Sequence, residues 1–204
     1  MRYATAIGHL RLVAEACAEW ASRSVLGDAS GPYVVAAYAF GDILDAPEEP
    51  DISDVVFVVD EGVETLPWGI EPPAVRAFVD LSRIDRHPIR WLVQPRDVPV
   101  GHHRIVRPVR LWDVDHGIDE VAIEALRQRR PEDVRLPAPD EEEARAALER
   151  HLAVTRAALD AAIERFWDAN WRREHKGAGR YPEQTLWELA WGVRDLERAV
   201  DGKR

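Results

Sequence analysis

Apolar and polar positions alternate along the chain in three distinct ways. From roughly residue 3 to residue 25, Ile7, Leu10, Val13, Ala14, Cys17, Trp20 and Ala21 recur at helical spacing and mark the apolar face of an amphipathic helix. Gly27 and the cluster Asp28-Ala29-Ser30-Gly31-Pro32 end it. Two runs then lose the helical period. Tyr33 to Phe40 and Asp54 to Asp60 are almost continuously apolar, which suits strands covered on both faces. Between them, Asp45-Ala46-Pro47-Glu48-Glu49-Pro50 is an acidic, proline-punctuated loop.

Pro72-Pro73 opens a short helix over Ala74 to Leu81, with proline in the first turn where its missing donor costs little. Ile89 to Val93 reads as a third strand and Ile105 to Trp112 as a fourth. In the fourth, Val106, Val109 and Leu111 interleave with Arg107 and Arg110, and Pro108 lies inside the run, so an edge or half-exposed strand is expected. A short helix follows over Asp119 to Gln128, then a linker from Pro131 to Pro139. Beyond Asp140 the pattern turns wholly helical. Leu148, Leu152, Thr155, Leu159, Ile163 and Phe166 form one stripe, with the acids Asp140 to Glu143 favourably placed in the first turn. Leu186, Leu189, Val193, Leu196 and Val200 form a second stripe in a helix from Pro182 to Val200. The two stripes are expected to pack as a helical hairpin. The predicted organisation is an α/β domain over residues 1–135 and a helical hairpin over 136–204. The expected fold class is α+β, a small mixed sheet of about four strands with flanking helices.

With 204 residues, 46% of them hydrophobic and 31% charged, the chain can bury a sizeable core without covalent staples. Its net charge of -10 makes bulk attraction to nucleic acid or an anionic membrane an unfavoured expectation. Cys17 is the single cysteine, which excludes an internal disulfide and a cysteine zinc cluster. The first residues carry Glu15 and Glu19 and lack the uninterrupted apolar core of a signal peptide. No apolar run approaches the ~18 residues of a membrane span. A cytoplasmic location is the expectation. Of the 27 basic residues only Lys176 and Lys203 are lysines, a skew that reads as coding bias in a GC-rich bacterial genome.

The segment YVVAAYAFGDILDAPEEPDISDVVFVVD reads as strand, sharp turn at Gly41, acidic loop and second strand. That layout resembles the nucleotidyltransferase fold of the polymerase-beta superfamily. In that family a strand runs into Gly-Ser, and an Asp-hydrophobic-Asp pair opens the next strand and holds two divalent cations on a nucleoside triphosphate. Here Gly41 is followed by Asp42, Asp51-Ile52 is followed by Ser53, and the next acid is Asp54, one residue late. Arg90 stands on the strand where the family carries a third acid. The resemblance covers residues 33 to about 112 and implies a degenerate site that binds a nucleotide or another phosphate-bearing small molecule near Gly41 and Asp42. It leaves two alternatives open. One is an active Mg²⁺-dependent transferase using Asp51 and Asp54 as catalytic and metal-binding residues. The other is an antitoxin-like interaction module with a protein partner. Set against all three, the acids at 42, 51 and 54 can simply be solvated loop and strand-end residues. The whole chain, above all WRREHKGAGRYPEQTLWE, also resembles a bacterial family of about this length with no assigned activity.

A second candidate surface lies in WDANWRREHKGAGRY. Arg172, Arg173, Lys176 and Arg180 face one acid, Glu174, in an otherwise acidic chain. Arg172, Arg173, His175 and Arg180 are therefore candidate anion ligands, because guanidinium forks suit phosphate and carboxylate and a glycine break lets backbone approach an anion. The plainer reading is a basic helix end followed by a glycine cap, with Trp167 and Trp171 packing the hairpin. His102 and His103 are expected to be loop residues, and Asp113 and Asp115 turn acids.

Overall fold

A computed structural model describes residues 2–24, 32–45, 51–177 and 181–202. Helix α1 (Tyr3–Ser24) leads into strand β1 (Val34–Phe40), the one-turn helix α2 (Asp42–Asp45) and strand β2 (Ser53–Val59). Helix α3 (Pro73–Ser82), strands β3 (Ile89–Pro95), β4 (Val109–Asp113) and β5 (Gly117–Ile118), and helix α4 (Glu120–Arg127) complete the first part. Helices α5 (Glu141–Arg165), α6 (Ala169–Gly177) and α7 (Pro182–Val200) follow.

The five strands form one mixed sheet in the order β3-β2-β1-β4-β5. β2 runs parallel to β3 and antiparallel to β1, and β4 is antiparallel to both β1 and β5. Every residue of β2 is buried, as its unbroken apolar run requires of a strand covered on both faces. Val55, Phe57 and Val59 point into the larger core, which α1, α3 and α4 supply with Ile7, Leu10, Phe78 and Ile123. Val56 points the other way, into a core shared with Phe40, Trp68, Ile105, Leu152 of α5 and Leu196 of α7. The sheet is thus sandwiched between helices, and a third, smaller core joins α5, α6 and α7 through Ala162, Trp171 and Leu189.

α5 and α7 pack antiparallel, Arg156 bonding Glu197 and Ala162 meeting Leu189. Asp140 caps α5 by accepting from the Glu142 and Glu143 amides. Asp168 starts α6 in the same manner, accepting from the Trp171 amide.

The structure differs from the sequence expectation in the sheet. There are five strands, not about four. The fourth starts at Val109 rather than Ile105, because Arg107 adopts φ 43° and Pro108 has no N–H to give a ladder. His102 and Ile105 instead close a tight turn through reciprocal backbone bonds of 3.1 and 2.8 Å. Nor is β4 outermost: β5, two residues long, pairs with Trp112 and Asp113. Asp113 does act at a turn, accepting from the amides of Asp115 and His116. The acidic-loop residues 46–50 lie outside the described residues.

Candidate functional site

β1 ends in a turn that only glycine accommodates easily. Gly41 has φ +73°, and a Cβ there would stand 2.8 Å from Asp54 Oδ2. Leu44 donates to the Gly41 carbonyl at 2.8 Å, which starts α2 immediately after the turn. Asp54 is the second residue of β2 and lies opposite Phe40 of β1 and Arg90 of β3. Its side chain shares the sheet face of Val56, and the residue is only 3% exposed. A buried carboxylate needs a partner. Arg90 supplies one as a two-pronged fork, Nε to Oδ1 at 2.5 Å and Nη2 to Oδ2 at 2.9 Å. The hydrogen bond to Asp54 pushes the Arg90 guanidinium further up from an already high value, and the charges of Asp54 and Asp42 act in the same direction. The outer part of Arg90 remains in water, its side chain 65% exposed.

The other acids near this point are arranged differently. Asp51 is exposed in the bend before β2, so it does not share a strand with Asp54. Asp42 is exposed at the head of α2. Ser53 is fully buried, and its Oγ has no hydrogen-bond partner among the described residues. Among the described residues, no group of three or more His, Cys, Asp or Glu side chains is placed to hold a metal ion. The donor set at Asp54 does not fit Mg²⁺, which requires several free oxygens, because both Asp54 oxygens accept from Arg90.

The basic segment lies under the third core. Arg172 donates to the Phe166 carbonyl at 3.2 Å and to Glu183 at 3.1 Å, and its guanidinium lies over the Phe166 ring. His175 Nδ1 sits 3.0 Å from the Trp171 carbonyl, with the two rings 3.9 Å apart. Arg173 is exposed on α6, and Arg180 lies outside the described residues. Trp171 is buried, whereas Trp167 is exposed. The structure therefore brings together Gly41, Asp54 and Arg90 at the sheet, whereas at the helical end Arg172 is engaged with Phe166 and Glu183 and His175 with Trp171.

A third polar centre escaped the sequence analysis. Asp195 of α7 accepts from Arg104 Nε and Nη2 at 2.8 and 2.6 Å, from Trp68 Nε1 at 2.9 Å and from His103 Nε2 at 2.7 Å. Burial works to raise the Asp195 carboxyl, but the bonds from His103, Arg104 and Trp68 outweigh it and hold the group well below the usual carboxylate range. His102 stacks on His103 with ring centroids 4.6 Å apart, and the two Nδ1 atoms are 2.9 Å apart. Burial, reinforced by His103 and His151, keeps the His102 imidazole well below its ordinary pKa. His151 of α5 is also lowered, mainly by burial, although its contact with the Leu66 carbonyl opposes this.

A family model described as "Domain of unknown function (DUF7711)" matches residues 1–202. The chain belongs to this family. No curated protein matches the DUF7711 chain. A solved structure called "putative nucleotidyltransferase from Sulfolobus solfataricus" is similar to it at 20% identity and a TM-score of 0.40, covering 59% of this chain and 95% of that one. The signal for the DUF7711 chain's third centre was present but faint. Asp195 is a charged residue inside the apolar stripe of α7, one turn after Trp191 and beside Leu196. Its histidine partner is 92 positions away, so spacing alone could not pair them.

Proposed function

We propose that this DUF7711 protein is nucleotidyltransferase-like with a degenerate catalytic site, and that it acts by binding a nucleotide or another phosphate-bearing small molecule. The observation that carries the reading is the Arg90 fork on Asp54 beside the Gly41 turn. Asp54, the acid at the head of the second strand and one residue past the family's metal-ligand position, is neutralised by a permanent cation. The fork uses Nε and Nη2 and leaves the remaining guanidinium edge facing water, where it suits a phosphate oxygen better than a metal. Gly41 contributes a turn without a side chain, which lets the Asp54 carboxylate and its Arg90 partner sit against it. Arg172, Arg173, His175 and Arg180 are a second candidate anion surface under the same reading.

Calorimetry with a nucleoside triphosphate, with and without Mg²⁺, tests this. Binding is expected without metal and unchanged by it. Arg90→Ala should weaken it by roughly ten- to a hundredfold, the loss of one charge-assisted pair. Binding that requires Mg²⁺ and disappears in Asp51→Ala and Asp54→Ala would instead support an active transferase. A loss confined to Arg173→Ala combined with Arg180→Ala would move the anion site to the helical end.

A specific observation favours a second reading, a protein-interaction module. Ile163, Trp167 and Trp187 are large apolar side chains on the α5–α7 assembly with 56%, 84% and 67% exposure. Exposed aromatic residues of this kind are enriched at interfaces. An absence of any triphosphate binding, with a partner or self-association lost in Trp167→Ala, would establish that reading over the first.

A further inference from the structure

The connection between β3 and β4 crosses the sheet face that α5 and α7 cover. Along it, Ile105 is fully buried among Phe40, Val56, Leu152 and Leu196. His102, His103 and Arg104 form its polar anchor to α7. Trp68 sits in the same junction, its amide donating to Thr155 Oγ1 at 3.0 Å and its indole to Asp195. Gly192 of α7 lies so close to the Trp68 carbonyl that any Cβ there would collide with it.

Proton positions in this anchor follow from the chemistry of the acceptors. A carboxylate only accepts, so His103 Nε2 must carry the hydrogen in its contact with Asp195. The 2.9 Å contact between the two Nδ1 atoms then holds one proton, given by one ring and accepted by the other. Both imidazoles cannot be cations there, because two N–H groups would point at each other between stacked rings. Solvent does not relieve this. His102 Nε2 is buried without a hydrogen-bond partner among the described residues. The cavity bounded by His102, Val98, Leu148 and His151 measures about 10 Å³, room for no more than one water. The charges facing the pair are unhelpful to a second cation. Asp195 of α7 is already forked by Arg104 from the same connection. His151 faces it from α5, with Arg150 and Asp97 around that histidine.

We propose that the His102–His103 pair, anchored on Asp195, is an acid-sensitive latch that fastens the β3–β4 connection and Trp68 to the α5–α7 helices at neutral pH and releases them on acidification. In the released state the second proton that the facing Nδ1 atoms exclude can bind, and His102 regains an ordinary titration near pH ~6.5. Release then takes up the proton that the docked pair excludes. The latch is at full strength above that pH and weakens as the pH falls, by about tenfold for each extra proton per pH unit. The same sign applies to His151, which burial also keeps neutral. The proposal is independent of whether a nucleotide binds at Asp54.

Native-state hydrogen exchange tests it on the intact chain. The Trp68 amide reports the latch, and the Val56 amide, inside the sheet, reports global opening. After correction for intrinsic exchange, Trp68 protection should fall at least about fivefold between about pH 6.5 and pH 5.5, with Val56 changing less than about twofold. His102→Gln should make that fall shallower by about one proton. A parallel NMR titration of the wild-type imidazoles keeps the test independent of how the variant folds. His102 should remain neutral below its ordinary pKa for as long as Trp68 is protected. A pH-independent ratio of Trp68 to Val56 protection, equal losses at both amides, or a docked His102 that titrates normally would each overturn the latch.

Discussion

Two arginine–aspartate forks stand on the same side of the sheet, and they differ in what surrounds them. Asp195 accepts from Arg104, His103 and Trp68, three residues that belong to two different connections, and it is held by α7. Arg104 additionally lies over the Trp191 ring, with 4.8 Å to its centroid. Among the described residues the Asp54 side chain bonds Arg90 alone, its register neighbour on the adjacent strand, which has most of its side chain in water. The first fork ties layers of the molecule together. The second ties two adjacent strands that their backbone ladder already joins. A fork that is redundant for the fold is free to serve a ligand, which is why the Asp54–Arg90 pair, rather than the better-bonded Asp195 centre, is the one proposed for binding.

Removing Asp195 separates the two cases most sharply. Asp195→Ala leaves the Arg104 guanidinium, the Trp68 indole N–H and a histidine without their acceptor, and breaking a buried pair in this way costs about 3–5 kcal/mol. Urea denaturation at neutral pH measures it, and a cost below about 1 kcal/mol would dissolve the distinction between the forks. Gly192→Ala probes the same layer contact without touching charge. Its methyl group would meet the Trp68 carbonyl, and overpacking of this kind costs about 1–3 kcal/mol. A wild-type midpoint in that variant would mean that α7 is not seated on Trp68. Asp54→Asn should have the smallest effect on stability, about 1 kcal/mol, because an amide still fits beside Gly41 and Arg90 can turn into water. If Asp54→Asn proves as costly as Asp195→Ala, then Asp54 is a structural anchor and the ligand reading loses its basis.

The sequence exposed the main supports of the fold because they are periodic. The stripe from Ile7 to Cys17 became α1, and the bounds expected for the last helix, Pro182 to Val200, are those observed. The continuous apolar run in β2 correctly implied cover on both faces. What lacked a period was lost. β5 is two residues long and has no pattern to read. The start of β4 was misplaced because Ile105 is apolar for another reason, burial between layers. At the sheet site, Arg90 could be recognised as standing where an acid was expected, but not as the partner of Asp54. That pairing depends on the parallel register of β2 with β3, a tertiary property. The Asp195 centre was hidden by distance along the chain, and His102 and His103, expected as loop residues, gave no sign that they stack as a pair.

The strand order carries a further consequence for how the molecule is made. β3 lies at one edge and β4 on the far side of β1, so the chain between them must pass over β2 and β1 before α5 and α7 exist to cover it. During synthesis the amino-terminal end emerges first. Phe40, Val56 and Ile105 therefore wait uncovered until Leu152 and then Leu196, about ninety residues after Ile105, have left the ribosome. The nascent protein passes through an obligatory stage with half of its sheet greasy and bare, and that stage, rather than the finished fold, is where a chaperone would find it.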